Sequence, residues 1–243
     1  MIRYKHTNST RRQTLSNSTS KFNIEDFLYT KKFKCPVCET NFDVNLIKET
    51  KIRLLSIEYD LRPVYSPVDP THYSIISCET CGYTAMKDIF YDISSAQINK
   101  ILEGITSSFK PITFPKELTI DMVITRYKLA LLNARIKEVS EGERAYLCLK
   151  ILWLYRLKTG DEENEKVFAK LAFNGFDKAY TTEDFPIMGL KESTVIYLLS
   201  ALSAFLNNKE YALKLLSTLI HDKETPSRIK DMAIDLKFDM MGK

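Results

Sequence analysis

The chain has 243 residues, 44% of them hydrophobic and 27% charged, an ordinary soluble composition that allows one or two folded domains with a sizeable core. Its net charge of +4 belongs to the N-terminal tail: Arg3, Lys5, Arg11, Arg12 and Lys21 give residues 1–24 a charge of +5, which leaves −1 for the rest. The longest apolar stretch, 145–157, is interrupted by Lys150 and Arg156, and no apolar leader precedes a cleavage site at the N-terminus, which argues against a membrane span and makes the cytoplasm the expected compartment.

The tail, residues 1–23, is rich in Ser, Thr and Asn and almost free of apolar residues before Phe22. It is expected to be a disordered, basic, solubilising extension, because so little apolar surface cannot offset the entropy of ordering. Five dispersed charges fall short of the dense basic block that marks a polyanion-binding arm.

Next comes Cys35-Pro36-Val37-Cys38, and after 39 residues Cys78-Glu79-Thr80-Cys81-Gly82. Two CxxC pairs supply the four thiolates of one tetrahedral Zn²⁺, each sulfur about 2.3 Å from the ion. The 39-residue spacer exceeds the compact pattern of about 15 to 20, so the metal must draw together the ends of an extended insertion. Gly82 can take the positive φ that turns backbone amides toward the sulfurs. A thioredoxin-type redox pair would open a helix in a βαβ unit, and a disulfide framework belongs to oxidising compartments and small cysteine-dense domains; neither pattern fits. With four thiolates the coordination sphere is closed to a catalytic water, so the expected Zn²⁺ at Cys35, Cys38, Cys78 and Cys81 is structural. Cys148, in an apolar helical stretch, is expected to be a core thiol, and His72 a loop residue beside the metal rather than a ligand.

Within the insertion, Pro63, Pro67 and Pro70 forbid a continuous helix, while 71–77 has the β-branched and aromatic content of a strand running into Cys78. Asp60, Arg62, Tyr65 and Tyr73 lie on this insertion, where an acid, a guanidinium and two phenols either form a polar recognition site or tie the proline-rich loop down. Residues 93–102 read as a helix and 110–115 as an extended connection, the expected boundary between a domain at 24–110 and another at 111–243.

The second half is helical by period. Three helices are predicted over 119–139, 144–158 and 162–180, and 146–157, with Trp153 and Tyr155, is apolar nearly all round, as a buried central helix would be. Val195, Leu198, Leu199, Leu202, Phe205 and Leu206 repeat at i, i+3, i+4, i+7; Tyr211, Ala212, Leu215, Leu216, Leu219 and Ile220 do so again after Asn207-Asn208, and Pro226 opens a last helix. Small Ala201, Ala204 and Ala212 stand where helices must approach. The pairing is tetratricopeptide-like, with about 34 residues per repeat, although the full consensus is absent and a plain helical bundle is the alternative.

Several of these segments together resemble a known family. Cys35-Pro36-Val37-Cys38 with Phe42, the run from Asp60 to Tyr65, Tyr73 ahead of the second CxxC with Tyr83-Thr84-Ala85 behind it, and Leu152-Trp153-Leu154-Tyr155-Arg156 are similar to the uncharacterised bacterial family known as domain of unknown function 2225. The resemblance runs from about Phe33 to the last helix. It implies a zinc-ribbon-like N-terminal part and a tetratricopeptide-like C-terminal part, and it supplies no reaction.

The fold class expected is therefore α+β, mostly α: a small Cys₄ zinc-ribbon-like β domain followed by a tetratricopeptide-like helical array. The expected function is a non-enzymatic scaffold or adaptor that binds a protein partner through the helices, with Tyr197 and Tyr211 as candidate anchors. The alternative is a zinc-dependent nucleic-acid-binding regulator. An enzyme ranks third, since no nucleophile–base pair, paired carboxylates or phosphate-cradling glycine loop stands out; the oligomeric state is left open.

Overall fold

The computed structural model describes residues 22–242; the tail expected over 1–23 lies, up to Lys21, outside the described residues. The fold is α+β and mostly α, with three antiparallel two-stranded sheets followed by helices.

The first hairpin joins β1 (Leu28–Lys34) to β2 (Asn41–Ile47), with Leu28 opposite Ile47 and Lys34 opposite Asn41. The second joins β3 (Arg53–Ile57) to β4 (Pro63–Ser66), and the third joins β5 (Ile75–Ser77) to β6 (Thr84–Met86). An isolated two-stranded hairpin is marginal in water, so each must lean on something else. The first and third share a core in which Phe33, Val44 and Leu46 meet Ile76, Ala85 and Phe90, closed by Ile101 and Ile105.

The strand expected over 71–77 is shorter. Residues Pro70–Tyr73 form a 3₁₀ turn and only Ile75–Ser77 is extended. The Asp69 carboxylate accepts the Thr71 N–H at 2.9 Å, and Pro70 begins the turn with its φ already set. A cap and a proline outweigh β propensity over so few residues.

Helix α1 (Ser95–Ile101) opens on a reciprocal Ser94–Gln97 capping box and runs on as a π turn over Leu102–Thr106. An irregular connection then leads to α2 (Ile120–Ile136), α3 (Glu141–Leu157), α4 (Glu162–Thr182), α5 (Glu192–Phe205), α6 (Lys209–His221) and α7 (Ser227–Met241). Thr119, Ser140 and Asn208 cap α2, α3 and α6 by accepting an N–H of the first turn, and Pro226 precedes α7. Successive helices pack against each other, and α3 is buried on nearly every side, as its all-round apolar sequence predicts. Small residues allow the close α3–α4 contact: a Cβ on Gly175 would sit 2.8 Å from the Ala145 Cβ. Ala201, Ala204 and Ala212 are buried between α5, α6 and α7.

The β and α parts share a core. Ile75 and Met86 of the third hairpin lie in the same cluster as Val123, Tyr127, Leu152 and Leu199. The tip of the second hairpin also reaches the helices, with Tyr59 and Leu61 packed beside α5–α7. No helix among the described residues is long and apolar enough to cross a membrane.

Candidate metal centre

Each CxxC occupies the turn of one hairpin. In the β1–β2 turn, the Cys35 N–H donates to the Thr40 carbonyl and the Glu39 N–H to the Cys35 carbonyl; in the β5–β6 turn, the Cys78 N–H donates to Tyr83 and the Gly82 N–H to Cys78. The two turns are built alike. Each places the residue after its second cysteine in the left-handed region, Glu39 at φ 60° and Gly82 at φ 80°. The glycine was legible in the sequence; Glu39 was not, although its position in the motif is the same.

The shared core brings the two turns together. Cys35 Sγ lies 3.6 Å from Cys81 Sγ, Cys38 Sγ lies 3.6 Å from Cys78 Sγ, and all four sulfurs fall within 4.8 Å of one another. A disulfide would need about 2.05 Å, whereas four sulfurs around one ion at about 2.3 Å stand roughly 3.8 Å apart. The spacing is that of a tetrahedral shell, and the four cysteines can hold a metal ion. Cys148, also a free thiol, lies buried in α3 away from this group, and burial pushes its pKa up to about 12.

The surroundings favour a cation. Contact with the neighbouring Cys35 and Cys81 sulfurs lowers the Cys78 pKa, while contact with Cys78 raises that of Cys35. Backbone amides of Val37 and Cys38 turn toward the Cys35 sulfur, and those of Thr80 and Cys81 toward Cys78. Phe33, Tyr83 and Phe90 share a buried core with Cys35, Cys78 and Cys81. Four sulfurs this close in an apolar setting can all ionise only around a cation. His72 lies on the 3₁₀ turn and is not one of the four.

Gly82 sets the second turn. A Cβ there would meet the Phe109 ring at 2.5 Å, on a backbone with φ +80°. Gly82→Ala should therefore cost about 1–2 kcal/mol or more, read as a lowered melting temperature with weaker metal retention. Glu39→Gly, which relaxes the same strain at an open position, should not destabilise.

The polar residues of the insertion are placed differently from the cysteines. Asp60 is fully buried, accepting from Trp153 Nε1 at 3.1 Å and pairing with Arg156 at 2.8 Å. Arg62, 7% exposed, pairs with Glu58 at 2.8 Å and lies 3.6 Å from Asp69. Arg156 also pairs with Glu58 and Glu165, each at 2.8 Å, and covers the Tyr59 ring. Burial alone would lower the Arg156 pKa, but Asp60, Tyr59 and Glu165 hold it up. The Tyr73 hydroxyl donates to the Lys116 carbonyl, and Tyr65 sits half-buried in β4 opposite Leu54.

Asp60 thus ties the second hairpin to α3, while Arg62 ties the same hairpin to Asp69 in the loop that follows it. Tyr197, 1% exposed, donates to the Tyr59 carbonyl at 2.7 Å and is a core residue rather than an exposed anchor. Tyr211 is half-buried and donates to Asp177 at 3.2 Å. Sequence reasoning missed Glu58, Arg156 and Glu165 as partners; a lone arginine in the otherwise apolar run 151–157 was the available signal.

The segments that meet here, 60–65 and 152–156, are among those that carried the family resemblance. Comparison with curated proteins and with solved structures returned no match. A family profile described as an uncharacterized protein conserved in bacteria (DUF2225) matches residues 28–240, from the start of β1 into α7, and the chain belongs to that family.

Proposed function

We propose that the chain is a zinc-stabilised, non-enzymatic scaffold whose tetratricopeptide-like helices, within 111–243, bind a protein partner. The observation that carries the reading is the four-sulfur group. Four thiolates at these separations suit Zn²⁺, fill its tetrahedral sphere and leave no position for a reacting water, so the metal acts by bracing structure. What it braces is the block of 24–110 whose hairpins share a core with the helices.

Helix α4 supplies a face for a partner. Val167 and Leu171, one turn apart, are 47% and 46% exposed. They lie on the helix that also borders a groove of about 310 Å³, where Phe173 faces Ser203 and Leu206 of the α5 end. Apolar anchors at one-turn spacing beside a groove match the way a helix or peptide docks on a helical array.

Leu171→Asp and Val167→Asp should each weaken capture of a protein partner by roughly 1–4 kcal/mol, with an unchanged melting temperature. The measurement is affinity capture followed by titration with the recovered partner. Salt-sensitive retention of nucleic acid, unaffected by either substitution, would replace the scaffold reading with that of a zinc-dependent regulator.

A further inference from the structure

Arg126 projects from α2 into a place where a cation needs an explanation. It is 8% exposed, its two Nη atoms donate to the carbonyls of His72 and Ile75, and its Nε is buried without a partner. No carboxylate among the described residues pairs with it; Glu79 acts on it only at a distance. A buried charge without a counter-ion is costly, and carbonyl oxygens compensate it only in part. The contrast with Arg156, held by three carboxylates, is sharp.

Arg126 lines a cleft of about 260 Å³ between β2, the second cysteine turn and the connection leading to α2. Ser77, on the same wall, has its hydroxyl buried and unpartnered. The Phe114 ring lies 5.6 Å from the guanidinium carbon. Asp43 and Glu79 also line the cleft, and Glu79 uses one oxygen to accept the Phe114 N–H at 3.2 Å. The lining thus offers a guanidinium and a hydroxyl for an anion together with two carboxylates for a cation. A phosphate would meet those two carboxylates, and a lone amine would leave Arg126 unpaired. The volume is below the roughly 300–1,000 Å³ usual for drug-sized ligands.

We propose that this cleft binds a small α-amino acid as its zwitterion, the carboxylate taken by Arg126 and Ser77 and the ammonium by Glu79 and Asp43. A guanidinium carries five N–H donors, so those beyond the two that the His72 and Ile75 carbonyls take can make charge-assisted hydrogen bonds to a carboxylate, and the two acids reject ligands that are only anionic.

The test is calorimetric titration and thermal shift of the full chain, purified with its metal, against the twenty common α-amino acids, with acetate, methylamine and inorganic phosphate as comparisons. At least one amino acid should bind saturably and raise the melting temperature, with acetate and methylamine at least tenfold weaker. Arg126→Gln should reduce that binding a hundredfold or more. Ser77→Ala and Glu79→Gln, which leave the Arg126 carbonyl contacts in place, should each reduce it severalfold at an unchanged melt, and they decide the matter if Arg126→Gln does not fold. Binding of phosphate alone, no binding by any amino acid, or amino-acid binding indifferent to Ser77→Ala and Glu79→Gln would each overturn the assignment, and none of these results bears on the α4 face.

Discussion

Cys38→Ser or Cys78→Ser should unfold the N-terminal half of the molecule, and so should removal of the metal by a strong chelator. The third hairpin that carries Cys78 and Cys81 has strands of only three residues each, and short two-stranded sheets are marginal alone, so its packing on the first hairpin and the helices depends on the cysteine turns holding their shape. A thiolate-bound Zn²⁺ contributes on the order of 10 kcal/mol of apparent binding free energy near neutral pH, comparable with the whole stability of a typical domain. Elemental analysis should find one zinc per chain in the wild type and none in either variant. Circular dichroism should show the strand signal lost first, with the helices melting at lower temperature, because Ile75 and Met86 would leave the core they share with α2 and α3. Acid should have the same effect as the chelator, since protons compete with the metal for the sulfurs. A metal-free variant that melts like the wild type would refute the structural role.

The second large effect is expected at Arg156. Arg156→Met should destabilise the chain by about 3–5 kcal/mol, the usual cost of leaving buried charges without their partner. Here Asp60 and Glu165, both mostly buried, would lose their cation, while Glu58 would keep only Arg62. Asp60→Asn should cost less, because the amide can still accept the Trp153 N–H and receive the Arg156 guanidinium while Glu58 and Glu165 keep the charge paired. A double-mutant cycle between Asp60 and Arg156, measured by chemical denaturation, should give a coupling of about 1–3 kcal/mol. Independent, additive effects would mean that the hairpin tip is held by packing alone. Tyr197→Phe is a useful companion: losing the bond to the Tyr59 carbonyl should cost about 1 kcal/mol and loosen the same tip from α5.

Local rules determine local features, and those were legible along the chain. Two residues between cysteines let both sulfurs of a pair face one ion, whatever the rest of the protein does, so Cys35, Cys38, Cys78 and Cys81 could be named from spacing. Helices α2 to α7 follow from a 3.6-residue period, with Thr119 and Pro226 marking two of their starts, although α3 begins at Glu141, where the Ser140 side chain accepts the Glu143 N–H, rather than at the expected 144. The fate of the polar residues between the knuckles is of another kind. Asp60 meets Trp153 across 93 positions, Arg156 meets Glu58 across 98, and Tyr197 meets Tyr59 across 138. No periodicity or propensity operates at such separations. Whether a carboxylate or a phenol is a ligand-facing group or a buried tie depends on which surface comes to cover it, and only the docking of the second hairpin onto α3 and α5 decided that for Asp60 and Tyr197. The same holds for Arg126, one charged residue in a predicted helix of the sequence, which became a buried cation in a cleft because the second cysteine turn and the connection after α1 fold over it.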